Sequence, residues 1–252
     1  MIESMLRVKS VLITQPKPEN DKNPYTELAK KFNLKIDFRS FIHVEGVAAK
    51  DFRKDKINLP DFTAVIFTSR NAVDHFFRMA EEMRYEVPTD LKYFCVSEST
   101  AVYLQKYIQY RKRKIFFGKQ TSSELLELIK KHIAEKFVFP CSDVHKEDLP
   151  TKMRDLGYTV SEAIMYHTVV SDISDLANVN YDVIAFFSPS GIKSLYANFP
   201  DFEQKNTRIA AFGNTTIEAV RAAGLQLDIK APTPQSPSMM MAIEEYVKKA
   251  NK

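Results

Sequence analysis

Val65-Ile66-Phe67-Thr68-Ser69-Arg70-Asn71-Ala72-Val73 and, much later, Ile184-Ala185-Phe186-Phe187-Ser188-Pro189-Ser190-Gly191-Ile192 share one build. Each is an unbroken apolar run, then a short hydroxyl-bearing loop, then the start of a stretch with helical spacing. An apolar run without alternation is what a strand shows when both faces of its sheet are covered. Behind the first loop Val73, Phe76, Phe77 and Ala80 fall on one stripe of a helix over 71–83. A buried strand feeding a helix through a tight loop is the unit of a parallel α/β sheet.

Working outward, the same alternation fills the chain. Strands are predicted at 10–14, 35–41, 64–68, 93–96, 114–117, 137–140, 159–166, 183–187, 209–212 and 227–230, most of them separated by helical stretches. The two opening segments also belong to a weak internal repeat of roughly 120 residues. Cys95-Val96-Ser97-Glu98-Ser99-Thr100-Ala101 parallels Ala211-Phe212-Gly213-Asn214-Thr215-Thr216-Ile217, and the segment from Thr121 matches that from Ser236. The opening strand and helix, 11–36, match 137–160 in the same order. The expectation is two similar α/β domains of parallel sheet, flavodoxin-like or Rossmann-like, with a cleft between them. Spacing alone cuts the chain near Glu135 into two contiguous domains, and the sequence leaves open a swapped layout crossing at 44–47 and 168–170.

A chain of 252 residues, 44% hydrophobic, is long enough for two such cores. Neither a basic start backed by a long apolar stretch nor a run of about 18 apolar residues occurs, which predicts a cytoplasmic protein without a membrane span. Cys95 and Cys141 both lie in apolar runs and read as buried thiols. The net charge of +4 is mild, and the basic run Arg111-Lys112-Arg113-Lys114 reads as a solvated helix end, so no nucleic-acid partner is expected. No Gly-x-Gly-x-x-Gly, P-loop or Gly-x-Ser-x-Gly elbow follows a strand, and the five histidines show no metal-ligand grouping. No cofactor and no metal are expected.

Chemistry in a parallel sheet gathers at the carboxyl ends of the strands, where loops open into helix N-termini. There the loops offer Thr68, Ser69, Asn71, Ser97, Thr100, Ser122, Ser188, Ser190, Gly191, Gly213, Thr216 and Ser238 as candidate binding residues. Capping free amides is the plain role of such residues, yet six loops in paired positions point beyond it. Helix N-termini hold carboxylates or phosphates through N–H groups and partial positive charge, which suits a large polyanion.

The segment Phe67-Thr68-Ser69-Arg70-Asn71-Ala72-Val73 resembles the Phe-Thr-Ser-x-Asn-Ala-Val motif of the uroporphyrinogen-III synthase family. Phe187-Ser188-Pro189-Ser190-Gly191 resembles its second-half counterpart, Gly213-x-x-Thr216 its Gly-x-x-Thr loop, and Tyr166 the tyrosine closing the bridging strand. Gln15, Ser97 and the loop Phe139-Pro140-Cys141-Ser142 depart from the family pattern. The resemblance implies the swapped layout: 1–40 with 170–252 as one domain, 44–166 as the other, and linker strands at 41–43 and 167–169. It also implies a monomeric, cofactor-free cyclising lyase. Its substrate is the linear tetrapyrrole hydroxymethylbilane, a polycarboxylate that loses water and closes with its last ring inverted. On this reading Tyr166 at the hinge is the general acid or positioning donor, while Ser69, Thr100, Ser190 and Thr216 bind carboxylates through caps and nearby amides. The competing reading is a non-catalytic two-domain protein that binds an acidic metabolite.

Overall fold

The computed structural model describes residues 6–18, 23–119, 121–145, 147–177 and 179–252. In chain order β1 (Ser10–Ile13), α1 (Pro24–Phe32) and β2 (Lys35–Phe38) come first. They are followed by β3 (Ile42–Gly46), α2 (Ala49–Phe52), β4 (Ala64–Phe67), α3 (Arg70–Glu82), β5 (Lys92–Cys95), α4 (Glu98–Tyr103), β6 (Ile115–Phe117) and α5 (Ser122–Ile129). Next come β7 (Lys136–Ser142), α6 (Asp148–Asp155) and the long β8 (Thr159–Val170). The chain closes through β9 (Val183–Phe186), α7 (Pro189–Asn198), β10 (Arg208–Phe212), α8 (Asn214–Ala222), β11 (Leu227–Ala231) and α9 (Met239–Ala250).

These elements form two compact units, Met1–His43 with Val169–Lys252, and Val44–Thr168. The first holds a sheet ordered β11-β10-β9-β1-β2, the second a sheet ordered β3-β8-β7-β4-β5-β6. Every pairing within the first sheet is parallel, as are those joining β4 to β8 in the second. Two apolar clusters flank the first sheet, one with Val11, Ile13 and Val183, the other with Leu12, Ile184 and Phe186. The second sheet divides its side chains likewise, Val65 and Phe67 to one face, Ala64 and Ile66 to the other. This alternation is why neither strand shows a polar face in its sequence.

Three sequence expectations change. A cut near Glu135 would sever β7 from β4, because Phe137 pairs with Ala64 as well as with Val160 inside one sheet. The strand expected over 35–41 stops at Phe38. Arg39 donates its N–H to Ile13, and the chain then bends so that Phe41 packs edge-on against Phe186. The strand expected over 159–166 runs on to Val170 and carries a bulge: Cys141 faces Ile164, but Ser142 faces Tyr166. The extra residue breaks the in-out alternation, so Met165 and Tyr166 are both buried. Among the described residues no helix is long and apolar enough to cross a membrane.

Candidate active site

Because the strands that feed these helices run parallel within each sheet, the helix N-termini that follow them emerge along one edge. In Val44–Thr168, Ser69 caps α3, its Oγ accepting the Ala72 N–H at 3.1 Å, with Thr68 and Asn71 exposed on either side. Ser97 caps α4 by accepting the Thr100 N–H at 3.3 Å, and its hydroxyl lies 3.1 Å from the Thr100 hydroxyl. Both side chains are buried and largely satisfy one another. Thr121 caps α5 in a reciprocal box with Glu124; Ser122 follows it in the first turn, its side chain lying outside what the structure describes.

The other unit repeats the scheme. Ser188 caps α7 by accepting the Gly191 N–H at 3.3 Å, with Ser190 half-buried inside the first turn. A Cβ on Gly191 would stand 3.3 Å from the Phe186 ring, so the helix start sits tight on its strand. Gly213 precedes α8 at φ 84°, ψ 152°, a conformation essentially reserved for glycine, and offers no side-chain cap. Ser238 caps α9, accepting the Met241 N–H at 3.2 Å. Of the four residues expected to act as caps only Ser69 does so. Thr100, Ser190 and Thr216 lie inside first turns whose caps are Ser97, Ser188 and Gly213. Thr216 is only 1% exposed.

One group of side chains stands out at the carboxyl edge of the second sheet. The bulge in β8 turns Tyr166 toward the start of α3, where its hydroxyl lies 3.4 Å from Ser69 Oγ. Tyr166 is 8% exposed, and burial raises its pKa above the usual tyrosine value, with a smaller opposing effect from Ser69. It therefore stays protonated at neutral pH and is a hydrogen-bond donor. The imidazole of His75, on α3, stacks on the Tyr166 ring, 4.9 Å between centroids and 21° from parallel. Its Nδ1 accepts from Arg78 Nε at 3.1 Å. Burial, then the Arg78 charge, lowers its pKa, so the ring is neutral with its proton on Nε2.

Tyr166 and Ser69 were legible as candidates; His75 and Arg78 were not. The three-residue spacing of His75 and Arg78 on α3 was the only local signal, and their partner stands far along the chain. Among the described residues no three His, Cys, Asp or Glu side chains gather as a metal site.

Fold and loops define a class: a two-unit α/β protein whose polar, helix-opening loops line the carboxyl edge of each parallel sheet, with a buried tyrosine at one of them. The sequence model described as "Uroporphyrinogen-III synthase HemD" matches residues 23–241. The chain belongs to the uroporphyrinogen-III synthase family. It is 25% identical over 270 aligned residues to uroporphyrinogen-III synthase of Chlorobaculum parvum, covering 96% of this chain and all of that one. Its fold is similar to solved structures of uroporphyrinogen-III synthetase from Helicobacter pylori and of a mutant uroporphyrinogen III synthase from the extremely thermophilic bacterium Thermus thermophilus. The first superposes with a TM-score of 0.64 at 16% identity over 95% of this chain and 99% of that one. The second gives 0.58 at 13% identity over 96% and 99%.

Proposed function

We propose that this protein cyclises hydroxymethylbilane with loss of water and inversion of the last pyrrole ring, the uroporphyrinogen-III synthase step of heme biosynthesis. The observation that carries the reading is the family match over residues 23–241, which takes in β2 to β11 and the loops that open α3, α4, α5, α7, α8 and α9. Those loops suit the substrate. Its carboxylates are met by amides at helix starts and by the Ser69, Ser188 and Ser238 hydroxyls, without a cluster of basic side chains.

On this reading the Tyr166 hydroxyl donates to the departing oxygen while the pyrrole nitrogen supplies the electron pair that expels it. The C–O bond breaks and water leaves with the tyrosine's proton; the cationic end then bonds to the terminal ring, and the proton lost from the cyclised product restores the tyrosine hydroxyl. Because the bilane is already reactive, holding both of its ends contributes more than a strong acid or base. The reading includes action as a monomer, since each unit completes its own sheet and its own apolar clusters; sedimentation at the mass of a single chain checks it. The decisive assay incubates the protein with freshly made hydroxymethylbilane and separates the product isomers. Type III isomer is expected; only the uninverted isomer, at the spontaneous rate, would leave a binding protein for an acidic metabolite in its place.

A further inference from the structure

His75 and Arg78 lie one turn apart on α3 and are absent from the loop motifs, yet their side chains connect three separate parts of the second unit. The Arg78 guanidinium uses nearly all its donors. Nη2 donates to the carbonyls of Val47 at 2.9 Å and Met165 at 3.0 Å, Nη1 pairs with Glu82, and Nε donates to His75 Nδ1. It lies flat against Gly46, where a Cβ would come within 2.8 Å of the guanidinium carbon. One planar fork thus ties the end of β3 to the bulged residue of β8 and sets the tilt of the imidazole beside it. The imidazole in turn covers the face of Tyr166, whose backbone follows directly on Met165. Ring and strand of Tyr166 are therefore held from the same arginine, one through His75 and the other through the Met165 carbonyl.

We infer that His75 is a positioning residue for the reaction: its ring, oriented by Arg78, fixes the plane of Tyr166 and so the direction of the tyrosine hydroxyl. The inference rests on the proposed role of Tyr166 as donor to the leaving oxygen. It assigns His75 no contact with substrate. A tyrosine turning about its Cα–Cβ bond sweeps its hydroxyl through several ångströms, whereas a displacement of about 1 Å already costs about 10²-fold in rate. A stacked partner on the ring face removes that freedom, and the 3.4 Å approach to Ser69 alone is too long to do so.

The test compares kcat, KM and the product isomer ratio with hydroxymethylbilane for four variants. These are Tyr166→Phe, His75→Leu, which keeps bulk and removes the ring, His75→Phe, which keeps the ring, and the double variant Tyr166→Phe with His75→Leu. His75→Leu is expected to lower kcat by about 10²-fold, as Tyr166→Phe does, with KM little changed. His75→Phe is expected to retain most of the rate, and the double variant to be no slower than Tyr166→Phe alone. A slow Tyr166→Phe enzyme beside a fully active His75→Leu enzyme overturns the positioning role and leaves the tyrosine in place. Losses that multiply in the double variant also overturn it. A fully active Tyr166→Phe enzyme overturns both the tyrosine's role and that of His75. Should His75→Leu fail to fold, by its circular dichroism, His75→Gln replaces it as a ring-free side chain that still accepts from Arg78, with the same outcomes.

Discussion

A hydroxyl sealed from solvent cannot receive a carboxylate from outside, and Thr216 is sealed. It occupies the third position of α8 beneath the Gly213 loop, while Asn214 and Thr215 are exposed above it. Under the proposed function, any contribution of Thr216 to binding would run through the loop it supports, with the amides that follow Gly213 as the proposed ligand-facing groups. Thr216→Ala deletes a buried methyl and a hydroxyl, so a loss of about 1 kcal/mol in urea unfolding is expected, together with an unchanged KM for hydroxymethylbilane. A raised KM at unaltered stability would instead put the hydroxyl in contact with substrate. The same distinction separates what the residues of this chain disclose from what they conceal. Ser69 follows an apolar run and opens a helix, so its place at a helix N-terminus could be read locally. The stack of His75 on Tyr166 joins residues from distant elements through a bulge, and no neighbour of either announces it.

At the scale of elements, one face of the second sheet is packed with aromatic rings. Phe94 of β5 and Phe116 of β6 stack at 4.8 Å between centroids, and His132, in the turn after α5, lies against both, 5.1 Å from Phe94 and 4.8 Å from Phe116. Burial, followed by the Lys92 charge, lowers the His132 pKa from 6.5. The unfolded chain then takes up a proton at a higher pH than the folded one. The fold keeps its full stability above about pH 6.5 and loses some as the pH drops through that value toward the folded-state pKa. Glu135, nearby, also has its pKa lowered: burial works against this, but its hydrogen bonds to Lys92 and Thr63 and the Lys92 charge outweigh it, so its contribution is constant across this window and is lost only in stronger acid. His75 titrates in the same direction as His132. The expected result is a melting temperature that falls between about pH 7.5 and about pH 5.5, and falls less in His132→Phe. Equal slopes in the two proteins would remove His132 from the effect. The central strand β4 was legible because it is apolar throughout; the bulge in β8 was not, since it is a property of register against β7 and no residue of Thr159–Val170 marks it in the sequence.

For the whole chain, repeat spacing suggested a boundary where none lies, because a repeat records the order of elements and not which of them pair. The pairing itself is explicit in the hydrogen bonds. The chain leaves the first unit after His43 and returns to it at Val169; just inside these points the Ser171 N–H donates to the Phe41 carbonyl at 2.9 Å, while Asn198 Nδ2 donates to the Ser171 carbonyl at 3.0 Å. At the other end of the same unit Val8 and Asn251 exchange two hydrogen bonds, of 2.7 and 2.8 Å, which fasten β1 to the end of α9. Residues 42–170 thus enter and leave through adjacent points and carry every strand of the second sheet. Among the described residues, each of the four apolar clusters takes its buried residues from one unit. We therefore expect each part to fold when separated. Residues 42–170 expressed alone, and residues 1–41 joined to 171–252 by a linker of about two to five residues, should each show a cooperative thermal transition and dispersed amide resonances. Each part is about twice the length of the smallest domains that stand alone on a hydrophobic core. The short linker costs little, because it spans a gap already closed by a backbone hydrogen bond. Neither part should form the type III isomer, since the loops assigned to the substrate carboxylates are divided between them. A non-cooperative melt of the joined 1–41/171–252 protein would mean that the first unit depends on residues 42–170 for its core, and that the division seen in its hydrogen bonds is not a division of stability.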